Sequence, residues 1–385
     1  MSRTIPYGRQ AIDEDDIEAV VQVLRSDFLT QGPAVPAFER AVAAHCGARH
    51  AVAVNSATSA LHLACMALGV GPGDIVWTSP VTFVASANCA LYCGARIDFV
   101  DVDPETGNLS VDALAAKLAE ARRHNRLPKV VIPVHLCGRS CDMARIHALG
   151  LEYGFRIVED ASHAIGAIHE GGPVGDGRYS DITVFSFHPV KIITSGEGGM
   201  AVTRDAALAR SMDRLRSHGI TRDPAEMTQA PDGPWYYQQI ELGYNYRLTD
   251  LHAALGFAQL RRIEAFIAAR HRVAARYAKA LEGLPLHLPP EVTDGRSALH
   301  LYPIRLSAPL SRRQVFEGLR QRGIGVNVHY IPVYLQPYYA AMGFQPGHCP
   351  NAERYYAAAI SLPMYATLSE SDQAWVVAAL KEVLA

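Results

Sequence analysis

Over the first two-thirds of the chain, short β-branched runs alternate with stretches of helical spacing. AVAVNS (51–56), IVWTSP (75–80), RIDFVDVD (96–103), KVVIPVHLCG (129–138), FRIVEDAS (155–162), DITVFSF (181–187) and GMAVT (199–203) read as strands. Between them lie helical segments such as ATSALHLACMALGV, where Leu61, Cys65 and Leu68 share a side, and MARIHALGLEYG. This alternation restricts the chain to an α/β fold with a mostly parallel sheet covered by helices on both faces. In such sheets ligands bind beyond the carboxyl ends of the strands, so the strand-end residues are where chemistry is to be sought.

The rest of the chain reads differently. Residues 220–240 are rich in proline and polar groups and predict a long loop that covers a site or reaches a partner subunit. From Thr249, a suitable N-cap followed by Asp250, a helical pattern runs to about Leu284 and ends at GLPLHLPP. Then come a strand in HLYPIRLS, a helix in SRRQVFEGLRQRG, a strand in GVNVHYIPV and a final helix from Ser369, the pattern of a smaller α+β domain. With 385 residues there is room for two domains, expected at 1–255 and 256–385, the second including the long connecting helix.

Charge and cysteine content exclude several functions. Lysine plus arginine (36) nearly balances aspartate plus glutamate (38), so no basic track for nucleic acid is expected. No apolar run approaches the roughly 18 residues of a membrane span, and the N-terminal MSRTIPYGRQAIDEDD lacks a signal-peptide core, so a cytoplasmic protein is expected. Seven cysteines, an odd number in a long chain, argue against a disulfide framework. HLCGRSC brings His135, Cys137 and Cys141 together in sequence, but no second ligand pair at zinc spacing answers it; no metal is expected, and the thiols read as buried side chains.

Three strand ends carry the chemistry. Asn55-Ser56-Ala57-Thr58-Ser59 opens a helix, so its backbone N–H groups make either a phosphate cradle or a plain N-cap. Asp160 closes the strand in FRIVEDAS, where a carboxylate needs a positive partner. Lys191, in FSFHPVKIITSGEGG, is either a surface lysine or an amine held to form an imine. Taken together, an amine, a carboxylate and a phosphate cradle are what pyridoxal phosphate requires: a bond to its aldehyde, a partner for its ring nitrogen and a seat for its anion. Phe83, in SPVTFVASAN, either stacks on the ring or packs in the core.

The ordered set NSATSAL, SPVTFVASAN, EDASHAIGA, FSFHPVKIITSGEGG, LGYNYRLTD and HYIPVY resembles the pyridoxal-phosphate sugar aminotransferases of the DegT/DnrJ/EryC1 family, from LTQG near residue 30 to the last helix. The resemblance implies the aspartate-aminotransferase fold (fold type I) and a homodimer with shared active sites. It also implies roles. Lys191 matches the lysine that bonds the cofactor, Asp160 the partner of the ring nitrogen, and Ala57, Thr58 and Ser186 the phosphate site. Phe83 matches the stacking aromatic, His163 a residue near the ring hydroxyl where many members carry glutamine, and Asn245 an asparagine reaching the phosphate from the other subunit. His329 and Tyr330 match a pair beside the sugar nucleotide, and Thr30, Gln31 and Gly32 a loop near the substrate. Arg247 reaches either a substrate phosphate or a neighbouring carboxylate; His218 and His252 receive no role.

Two departures stand out: Ala57 replaces a glycine, which is tolerable where φ is negative, and VHLCG replaces a tyrosine-containing segment. NSATSAL, DASHA and RSHGI are most similar to the pseudaminic-acid branch, which implies ping-pong transfer from L-glutamate to C4 of a UDP-linked 4-keto-6-deoxy-N-acetyl-hexose. Other branches act on C3 or C4 of dTDP, GDP or UDP sugars. Dehydratases of the family carry histidine in place of the lysine, whereas here His188 lies three residues early and Lys191 is present. A non-catalytic binding or regulatory protein on the same fold is disfavoured by Lys191 and Asp160 together. A nicotinamide-dependent reductase is disfavoured because GVGPGD (69–74) follows a helix and precedes a strand, the reverse of a dinucleotide fingerprint.

Overall fold

The computed structural model describes residues 4–385. Its main sheet has seven strands in the order His50–Val54, Gly199–Thr203, Ile182–Ser186, Arg156–Asp160, Val130–Ile132, Ile75–Thr78 and Arg96–Phe99. All neighbours are parallel except the two pairings of Gly199–Thr203, which are antiparallel. The reason lies in the connection: a parallel return needs a crossover, usually helical, but residues 187–198 form no helix, and Ser186 pairs directly with Gly199. Lys191 therefore sits on a tight link between two adjacent central strands.

Successive residues of these strands point to opposite faces. Val52, Val54, Val158 and Val184 join a core with Leu61, Leu63, Met212 and Leu215 from the helices Ala57–Ala67 and Ala206–Arg216. Ala53 and Phe185 face the other way, against Phe38, Ile263, Phe266 and Ile267. Each such buried aliphatic or aromatic side chain stabilises the fold by about 1.5–3 kcal/mol.

A third core, around Tyr302, Ile304, Leu319, Ile360, Leu362 and Val376, lies under the antiparallel sheet Leu286–His287, Tyr302–Leu306, Ala359–Leu362. Ile5 from the N-terminal segment joins it. The helix Ile263–Ala280 spans two cores, giving Ile263, Phe266 and Ile267 to one and Val273 and Tyr277 to the other.

Three sequence expectations change. The pattern from Thr249 to Leu284 is two helices, Asp250–Leu260 and Ile263–Ala280; Arg262 leaves helical geometry (φ −107°, ψ 6°) and pairs with Asp13 and Asp16. The segment GVNVHYIPV forms one isolated bridge (Asn327 with Ser361; Ile324 just before it bridges Ile5) rather than a strand, because the Asn327 side chain takes the Val328 N–H at 2.8 Å and Pro332 follows. Within the 220–240 loop, Ile220–Thr221 and Gln238–Gln239 form a short ladder. Thr249 is the N-cap expected of it, its hydroxyl accepting from the His252 N–H at 3.3 Å. No helix among the described residues is long and apolar enough to cross a membrane.

Candidate active site

A cavity of about 660 Å³ opens at the carboxyl ends of the parallel strands, within the usual size range for small-molecule sites. Five strand ends feed it, those of His50–Val54, Ile75–Thr78, Val130–Ile132, Arg156–Asp160 and Ile182–Ser186. After His50–Val54 the chain turns into the helix Ala57–Ala67, whose N-cap Ser56 accepts from the Ser59 N–H at 3.1 Å. The N–H groups of Ala57 and Thr58, at the positive end of the helix, have no acceptor among the described residues and border the cavity. Ala57 is an ordinary helical residue with no positive φ, so its methyl group is accommodated. Glycine is required instead at Gly199, where a Cβ would lie 2.4 Å from the Ala57 nitrogen. Its register partner Ser186 is thereby held beside the same helix start.

Asp160 ends its strand 5% exposed. One carboxylate oxygen accepts from Ser86 Oγ at 2.6 Å; the other accepts from the Ser162 N–H at 3.1 Å and Ser162 Oγ at 2.6 Å. Ser86 and Ser162 thus orient the carboxylate, and neither role was read from the sequence. The Ser162 signal was available, two residues after the aspartate; Ser86 lies 74 residues away on a helix.

Lys191 follows a turn closed by its own N–H to the His188 carbonyl at 2.9 Å, with Ile192 and Ile193 buried behind it. Its amine lines the cavity with Asp160 and has no hydrogen-bond partner among the described residues. Burial pushes the amine down to about 8, against an opposing pull from Asp160. Phe83 lines the same cavity at 60% exposure, so it is not a core residue and its ring is free to cover a planar ligand.

His163, Ser186, His329 and Tyr330 complete the set brought together around Lys191. His329 is held by Ser361 Oγ at 2.9 Å from its Nδ1. Tyr7, His300, Asn327 and Gln336 line the cavity too, without any sequence signal that marked them.

The other expected residues lie elsewhere in the single chain. Asn245 is exposed and its backbone bridges Ser217; Arg247 is half-buried and bridges Val54. Thr30 and Gln31 are exposed, and Gly32 donates its N–H to Asp250 at 2.6 Å. Asp250 also accepts from the N–H groups of Ala34 and Val35, so the LTQG turn serves to start the helix Ala34–Cys46.

Among the described residues no group of three or more His, Cys, Asp and Glu side chains is arranged to hold a metal ion. His135 instead meets Glu159 at 2.6 Å, both buried, with Ser180 and Thr183 hydroxyls donating to the carboxylate. Glu159→Leu should lower the unfolding free energy by about 1–3 kcal/mol, because the buried His135, whose Nδ1 accepts the Cys141 N–H at 3.1 Å and whose Nε2–H faces the carboxylate, is left with an unpaired donor. Urea denaturation checks this, and a loss below about 0.5 kcal/mol would contradict the hydrogen bond between them.

An amine, a carboxylate and a helix start converging on one cavity define a pyridoxal-phosphate enzyme of fold type I. The chain belongs to the DegT/DnrJ/EryC1/StrS aminotransferase family, whose model matches residues 10–381. It is 38% identical over 386 residues to the spore coat polysaccharide biosynthesis protein SpsC of Bacillus subtilis, covering 99% of this chain and 97% of that one. It is 37% identical over 383 residues to the UDP-4-amino-4,6-dideoxy-N-acetyl-beta-L-altrosamine transaminase of Campylobacter jejuni, with the same coverage. Its structure superposes on that of Helicobacter pylori PseC, an aminotransferase involved in pseudaminic acid biosynthesis, with a TM-score of 0.90, 30% identity and 99% of each chain covered. The protein is a pyridoxal-phosphate-dependent sugar aminotransferase.

Proposed function

We propose that the protein transfers the amino group of L-glutamate to C4 of a UDP-linked 4-keto-6-deoxy-N-acetyl-hexose, as in pseudaminic-acid synthesis. The observation that carries the chemistry is the free Lys191 amine in one cavity with Asp160 and the open N–H groups of Ala57 and Thr58. The likeness to the C. jejuni and H. pylori enzymes supports the choice of sugar.

The residues fit the cofactor. Ala57, Thr58 and Ser186 would bind its phosphate, Phe83 would cover the ring, Asp160 would keep a proton on the ring nitrogen, and His163 would lie near the ring hydroxyl. Pyridoxal phosphate, when bound, supplies the electron sink that makes loss of the Cα proton accessible. Lys191 would hold the cofactor through its aldehyde at rest. Its free amine would then serve as the base that takes the proton from the glutamate Cα and as the acid that returns it, with the order reversed for the sugar. His329 and Tyr330 flank the sugar. Thr30, Gln31, Gly32, Asn245 and Arg247, which lie outside the cavity of their own chain, act on the site of a second copy in a homodimer.

The same reading divides the chain into a cofactor-binding domain, residues 1–255, and a smaller domain, residues 256–385, supported by the separate core around Ile304 and Ile360. It also places the enzyme in the cytoplasm.

Because only the unprotonated amine attacks an aldehyde, the rate at which the cofactor-free protein takes up pyridoxal phosphate should rise with pH through about 8 and then level off. Stopped-flow absorbance checks this, and a rate flat through that range contradicts the free-amine assignment. The substrate is tested with glutamate and a panel of nucleotide keto sugars, with products identified by mass. The UDP-linked N-acetyl 4-keto sugar should yield the 4-amino product in preference to all others. The SpsC likeness favours a second reading, amination of another nucleotide-linked 3- or 4-keto sugar, and exclusive turnover of such a sugar in the panel would replace the first.

A further inference from the structure

Three polar groups around the cavity are linked in one direction. Cys137 has φ 60°, and its N–H donates to His163 Nδ1 at 3.2 Å. A ring nitrogen that accepts carries no proton, so the neutral imidazole bears its proton on Nε2. That nitrogen lies 3.3 Å from Tyr330 Oη. The phenol therefore accepts from His163 and keeps its own O–H for another group. No other partner for that hydroxyl exists among the described residues, and Tyr330 borders the cavity beside Lys191.

The surroundings keep His163 neutral. His300 packs on it with ring centroids 4.3 Å apart, and both rings are buried. Burial pushes both imidazoles well below their ordinary range, and the Lys191 amine and His329 beside them push the same way. His300 is fixed in turn by the buried Arg270, which donates to its carbonyl at 3.1 Å. The segment VHLCG thus touches the site through Val134, which lines the cavity, and through the backbone of Cys137, a residue that also borders a separate groove.

We propose that the Cys137 N–H and His163 are positioning groups that aim the Tyr330 hydroxyl, as a hydrogen-bond donor, at an oxygen of the keto sugar next to the reacting carbon. The proposal rests on the sugar-transaminase reading. Glutamate carries an ionised carboxylate beside its reacting carbon, where the sugar carries a neutral oxygen, and the phenol donor is assigned to the sugar half of the reaction.

Two measurements test it. In holoenzyme labelled with 15N-histidine, His163 should show a protonated Nε2 and a bare Nδ1, with its signals assigned by their loss in His163→Gln. In single-turnover absorbance experiments, Tyr330→Phe should slow the sugar half-reaction at least about tenfold more than the glutamate half. His163→Leu should behave in the same way. His163→Gln, whose carboxamide can accept and donate along the same line, should narrow the gap between the two half-reactions that His163→Leu opens. An Nδ1–H tautomer, equal slowing of both halves, or no slowing would overturn the proposal. Failure of the unmodified protein to turn over any keto sugar would instead sink the transaminase reading and with it the identity of the acceptor. The tautomer would then decide by itself whether the chain from Cys137 to Tyr330 exists.

Discussion

Lys191→Ala should lower turnover by at least about a thousandfold, since it removes both the bond that seats the cofactor and the group that moves the proton. The substitution should leave the fold intact. The amine has no hydrogen-bond partner among the described residues, and the buried Ile192 and Ile193 hold the backbone of the turn. Asp160 loses a charged neighbour but keeps its donors Ser86 and Ser162, so stability should shift by only about 1 kcal/mol. The variant should still bind the amine form of the cofactor in the cradle of Ala57, Thr58 and Ser186. Steady-state assays paired with thermal unfolding separate the two effects, and sustained multiple turnover in a folded Lys191→Ala protein would contradict the assigned role.

Asp160→Asn should cost on the order of a hundredfold or more in turnover, again with the fold retained. Asparagine has the same shape, and its oxygen can still accept from Ser162 or Ser86, but it carries no charge to hold a proton on a ring nitrogen. Aspartate is suited to the position because both its oxygens are already occupied by donors (2.6 Å from Ser86 Oγ, 2.6 Å from Ser162 Oγ), which fixes the carboxylate plane toward the cavity. The ring nitrogen's protonation can be followed by the absorbance of the bound cofactor across pH. A variant with activity within about threefold of the parent would show that the carboxylate serves packing alone.

The strand ends were legible in the sequence because parallel strands deliver their last residues to one edge, whatever their separation along the chain. Asp160, Ser186, Lys191 and the Ala57–Thr58 helix start meet for that reason. The orientation of Gly199–Thr203 was not legible, since an antiparallel neighbour and a parallel one show the same run of apolar residues; only the missing crossover helix in 187–198 distinguishes them. The break at Arg262 was hidden because Leu255, Ala258, Ile263 and Phe266 keep helical spacing across it, and its cause is a pairing with Asp13 and Asp16 far back in the chain. The link from Cys137 to His163 was hidden because it uses a backbone N–H, which no residue type announces. Asn245 and the Thr30–Gly32 turn, expected from the family resemblance, and Arg247 lie away from the cavity in the single chain, so their proposed roles require a second copy.

The central claim is that Lys191 is the residue to which pyridoxal phosphate bonds. Borohydride treatment of the cofactor-loaded protein, followed by proteolysis and peptide mass mapping, tests it most directly. One phosphopyridoxyl group on Lys191, and no other lysine, is the expected outcome. Labelling of a different lysine, or none despite a bound cofactor, would contradict the account.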